Sequence, residues 1–145
     1  LAVVHMPLIA SISSAFLKNI NSATSPQLTI PAWAFSKLSV KDEQLMAALA
    51  ASARRTLSEM STRNLANTAW ALAHREFLHM PLLDSIAAAS LPLIQEFGTQ
   101  GLSNTVWAFA KLVFEDCPLR SAISAAAIPR LADFEAQNIA NTAWA

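Results

Sequence analysis

The sequence predicts an all-α fold, an α-solenoid of helical hairpins with a 37-residue repeat, and three observations carry that expectation. The four tryptophans, Trp33, Trp70, Trp107 and Trp144, stand 37 residues apart. Apolar columns keep the same period: Leu8, Leu45, Leu82 and Leu119; Ile12, Leu49, Ile86 and Ile123; Ile20, Leu57, Ile94 and Leu131. No segment alternates apolar and polar residues over a useful length, so no sheet is expected. A fixed period of roughly 20–50 residues marks repeats that bury a core only by stacking on their neighbours.

The period divides the chain into a partial unit 1–26, units 27–63, 64–100 and 101–137, and a partial unit 138–145. The chain has no initiator Met and stops within the pattern, so it is read as a fragment of a longer polypeptide. Each unit reads as two helices. The first, helix A, has a cap column of Ser25, Thr62, Thr99 and Ala136, where hydroxyls can accept from first-turn N–H groups. Pro26 follows Ser25, where a missing N–H costs nothing. Helix A then runs to about Lys37, Arg75 and Leu112. The second, helix B, starts near Glu43, Pro81 and Pro118, with Asp42 and Asp116 as caps. It should run about 14 residues, a little under four turns. Pro92 and Pro129 fall late in it, and should kink the helix or start a short third one. Ala66, Ala69 and Ala73 in helix A, and Ala87, Ala88 and Ala89 in helix B, would let stacked helices approach closely.

Composition removes several function classes. With 54% hydrophobic and 14% charged residues in 145, the chain can fill a domain core. Gly98 and Gly101 are its two glycines, too few for a phosphate-cradling loop. A lone Cys117 rules out a disulfide framework. Net charge is zero, so nucleic-acid binding would have to come from a local face. Mean hydropathy is high, at +0.37. The charge-free run 1–17 still contains Pro7, His5 and serines, and falls short of the ~20 apolar residues of a spanning helix. No membrane segment is therefore expected. His74 and His79 have no metal-ligand spacing, and no nucleophile has an activating context. Neither catalysis, nor a metal, nor a cofactor, nor a small-molecule substrate is expected.

The helix A run Asn64-Leu-Ala-Asn-Thr-Ala-Trp-Ala-Leu-Ala73, with Gln137-Asn-Ile-Ala-Asn-Thr-Ala-Trp-Ala145, resembles the first helix of octotricopeptide-type repeats. Similar arrays occur beside RAP-type domains, in FAST-kinase-like proteins and in subunits of the trypanosome RNA-editing substrate-binding complex. The resemblance covers the whole chain. It departs in the first unit, where Thr29-Ile30-Pro31 replaces Ala-Asn-Thr, and after helix A, where no Pro-Pro-Glu-Trp segment follows. It implies binding of single-stranded RNA in a chloroplast or mitochondrion, in RNA processing, stability or translation. The alternative is a protein–protein scaffold of armadillo or HEAT type.

Three columns of helix A are candidates for function. The tryptophans are expected to be the core of the repeat, because bulky apolar groups dominate burial. Asn67, Asn104 and Asn141 either read base edges or form a ladder bonded between units or to loop carbonyls. Lys37, His74 and Lys111 either meet phosphates or sit solvated at helix ends. Ala71 and Ala108 fall between these two polar columns on a helical projection, and would leave room for a ligand.

Overall fold

The computed structural model describes residues 5–38 and 42–145. These residues are helical, with no strand among them. Eight α-helices follow one another: α1 (Met6–Asn19), α2 (Ser25–Lys37), α3 (Glu43–Arg55), α4 (Thr62–His74), α5 (Met80–Ser90), α6 (Thr99–Lys111), α7 (Cys117–Ala127) and α8 (Ala136–Trp144). The even-numbered helices are the A helices and the odd-numbered ones the B helices. Each B helix passes into a 3₁₀ turn: Ile20–Ser22, Leu57–Glu59, Leu91–Glu96 and Ile128–Asp133. The turn is longer where Pro92 and Pro129 occupy its second position, because a proline there withholds an N–H from the α-helical ladder.

Caps explain the starts. The side chains of His5, Asp42, His79 and Asp116 accept from the N–H groups of Leu8, Leu45, Leu82 and Leu119, at 3.2, 2.9, 3.2 and 2.8 Å. Asp42 and Asp116 are the expected caps; the histidines do the same work in the same column. The A-helix caps lie one residue earlier than the sequence suggests, at Thr24, Ser61, Gly98 and Glu135. Ser61 accepts from the Asn64 N–H at 3.3 Å, and the Thr24 N–H donates to Gln27 Oε1 at 2.9 Å. Ser25, Thr62, Thr99 and Ala136 are therefore the first helical residues.

The A helices pack side by side, α2 on α4, α4 on α6 and α6 on α8. The B helices form a second layer, in which α1 meets α3, α3 meets α5 and α5 meets α7. Leu28, Leu65 and Leu102 from the A helices, and Leu45, Leu82, Leu119, Leu49, Ile86 and Ile123 from the B helices, fill the space between the layers. Each such side chain contributes about 1.5–3 kcal/mol on burial. Ala66, Ala69 and Ala73 are buried where the A helices meet, as expected. Of the three α5 alanines, Ala87 is buried, Ala89 is half-buried and Ala88 faces solvent. The apolar columns lose their cover in α1 and in the last 3₁₀ turn, where Leu8, Ile12 and Leu131 are exposed. Arginines tie consecutive hairpins together: Arg130 Nη1 donates to the Phe97 carbonyl at 2.7 Å, and Arg55 Nη2 to the Asn21 carbonyl at 3.5 Å. No described helix is long and apolar enough to cross a membrane.

Candidate nucleic-acid interface

Neighbours on both sides and a B helix behind leave each inner A helix one open ridge. Its residues follow helical spacing. On α4 they are Arg63, Asn67, Trp70 and His74; on α6 they are Gln100, Asn104, Trp107 and Lys111. On α2 the same places hold Pro26, Ile30, Trp33 and Lys37, and on α8 they hold Gln137, Asn141 and Trp144. Side by side, the helices therefore present parallel rows: an amide row, an indole row and a cationic row.

The indole row corrects the sequence reading. Trp33 is 42% exposed and Trp144 60% exposed, while Trp70 and Trp107 are half-buried. The fully buried core places belong to leucine, isoleucine and alanine, and Trp107 packs against that core from the ridge side. Ala71 and Ala108 are fully buried, so the tryptophans, not the alanines, separate the asparagines from the cations.

The rings form a ladder. Trp70 and Trp107 have centroids 6.5 Å apart with planes at 29°, and Trp107 and Trp144 are 6.2 Å apart at 44°. His74 lies flat on Trp70, 4.6 Å between centroids and 12° between planes. Lys37 Nζ sits 5.9 Å from the Trp33 centroid and 5.3 Å from that of Trp70. Both geometries are attractive, the second as a cation–π contact.

The threonine beside each asparagine turns inward. Thr68, Thr105 and Thr142 donate to the carbonyls of Asn64, Gly101 and Asn138, each at 2.8 Å. That local bond satisfies the hydroxyls of the Thr68 and Thr105 side chains, which are buried while the neighbouring asparagines are not. Asn67, Asn104 and Asn141 are half-buried and make no hydrogen bond to one another among the described residues, so they do not form a ladder. Asn141 Oδ1 accepts from Gln137 on its own helix at 2.8 Å. The asparagine that does link helices is Asn138, buried and bonded to Ser103 and Thr99. Asn67 and Asn104 line a groove between α4 and α6 with Arg63, Gln100 and Gly101. The sequence reading passed over Arg63, Gln100 and Gln137, although they also recur at 37 residues.

Charge on the ridge is local. Desolvation, then the positive charges of Lys37, Arg75 and Lys111, hold His74 below the usual histidine range. At neutral pH it is thus a neutral stacked ring. Lys111 pairs with Glu76 at 3.0 Å, and that ion pair depresses the Glu76 carboxyl. So exposed a pair is screened by water and weak, and a phosphate can displace the carboxylate.

A family model described as RNA-editing substrate-binding complex 6 protein matches residues 6–145. The chain belongs to this family. Among the groups that the repeat resembles, the match favours the RNA-editing complex. The curated proteins contain no match to the chain.

Proposed function

We propose that the ridge of the A helices binds single-stranded RNA, in the setting of an RNA-editing complex. The observation that carries this reading is the alignment of three rows on one exposed face, with the Asn67, Asn104 and Asn141 amides on one side of the indoles and Lys37, His74 and Lys111 on the other. Amides can hydrogen-bond base edges, and lysines can meet phosphates. A further element of the reading is that the hairpins stack as a solenoid, each unit meeting about one nucleotide, as in other helical one-base-per-repeat readers. The role is binding and not catalysis, and the compartment that fits an RNA-editing complex is the mitochondrion.

Titration with labelled single-stranded RNA tests it. Two or three neutralised phosphates would give a log–log salt slope of roughly −1.4 to −2. Lys111→Ala should weaken binding to every sequence and flatten that slope. Asn104→Ala should alter base preference without destabilising the fold. Binding indifferent to all these positions would favour the second reading, a protein scaffold, for which the exposed Met6, Leu8 and Ile12 of α1 speak.

A further inference from the structure

We propose that the indole row is a base-stacking platform: Trp33, Trp70, Trp107 and Trp144 take successive bases of a single-stranded RNA against their rings while Lys37 and Lys111 hold its phosphates. This rests on the RNA-binding reading above and specifies the chemistry of the contact.

Trp33 and Trp144 are exposed and Trp70 and Trp107 half-buried, so all four keep ring surface in water, while the fully buried core is made by leucine, isoleucine and alanine. Their flanks select the occupant. A protein anchor would be met by further apolar side chains, yet Ile30 is the one large apolar residue in the flanking rows. The flanks are amides on one side and, on the other, Lys37 and Lys111 with the His74 ring between them. A nucleobase has an apolar face, hydrogen-bonding edges and an attached phosphate, and each finds its complement in a separate row.

The protein itself shows the stacking mode. The His74 imidazole, a flat heterocycle, already covers Trp70 at 4.6 Å and 12°. It is a neutral ring there, so stacking and not charge holds it in place. A base arriving at Trp70 would displace a side chain from the position the base takes. Spacing agrees as well. Ring separations of 6.5 and 6.2 Å approach twice the ~3.4 Å rise between stacked bases, and turning the planes from 29° and 44° toward parallel would admit one base per interval. At the first interval Lys37 stands between Trp33 and Trp70, where a phosphate would draw it off the rings.

The chain is its own reporter, since it has four tryptophans, all in this row, and no tyrosine. Titrating it with an oligouridylate should quench the indole fluorescence. An abasic ribose-phosphate strand of the same length should bind through the lysines without quenching. Trp107→Leu and the more exposed Trp33→Leu should weaken oligouridylate binding, read by anisotropy of labelled RNA, by about 5- to 150-fold each. Trp107→Phe, which keeps an aromatic face, should recover most of that loss, and circular dichroism checks that each variant is folded. Tight binding without quenching, unmoved by both leucine variants, would overturn the platform and leave the RNA reading standing. Absence of binding to any RNA would overturn the RNA reading itself. If Trp33→Leu released a protein subunit while RNA affinity held, the row would be a protein interface.

Discussion

The row of A helices and the row of B helices divide the work of the molecule. The A helices pack extensively on one another through Ala66, Ala69, Ser103 and Thr105, and keep one polar and aromatic ridge open. The B helices meet one another less closely and supply large aliphatic side chains, with a capped start in every unit. Small residues at the A–A contacts bring the A helices together and so align their ridges into continuous rows. The contrast yields a rule: substitutions in the B row should change stability, and those on the A ridge should change binding.

The largest expected effect tests the rule directly. Leu82→Ala, at a fully buried site in α5, should destabilise the protein by about 2–5 kcal/mol in urea melts. Trp33→Ala on the ridge should cost less than Leu82→Ala, because nearly half of the Trp33 surface is already in water and its loss leaves no closed cavity. Equal losses would return the tryptophans to the core. Next comes Asp116→Ala, which removes the α7 cap and should lower stability by about 1 kcal/mol while leaving RNA affinity unchanged.

Two substitutions should stabilise. The Ser90 hydroxyl is buried without a hydrogen-bond partner, and alanine fills the same place at Ala53 and Ala127. Ser90→Ala should therefore raise stability by about 1 kcal/mol, seen as a later urea midpoint. Val113, 85% exposed, holds φ 53° in the turn that closes α6, where the Phe114 N–H reaches the Phe109 carbonyl at 3.0 Å. A β-branched residue is strained there, and Val113→Gly should gain up to about 1 kcal/mol. No gain in melting temperature would mean that contacts of the Val113 methyl groups offset the strain.

The smallest effect concerns pH and separates folding from binding at one residue. Unfolded His74 takes up its proton near the ordinary 6.5, folded His74 only at lower pH. Its contribution to stability is thus complete above that value and declines as pH falls below it. Bound phosphates act in the opposite sense by favouring the imidazolium, so RNA affinity should rise as pH falls through the same window. His74→Gln should abolish both slopes, and parallel melts and titrations at several pH values would show it. Glu76→Gln should tighten RNA binding slightly by releasing Lys111.

Much of this architecture is written in local order along the chain. The 37-residue period of Trp33, Trp70, Trp107 and Trp144, the apolar spacing and the late prolines suffice for two helices per unit, because they act through backbone sterics and side-chain burial within one hairpin. The aspartate caps of α3 and α7 were legible for the same reason. What the sequence by itself could not decide is which face of an A helix is the third side. A helical projection distinguishes one buried stripe from its opposite, but an inner A helix has three neighbours. Only packing shows that α2 and the B helices behind it cover Ala71, beside Leu28, Ala32 and Leu82, and leave Trp70 at the edge, so that the indoles and not the alanines lie between the asparagines and the cations. Burial is a sum over neighbours brought close by the tertiary fold, and periodicity in a single helix does not carry that sum.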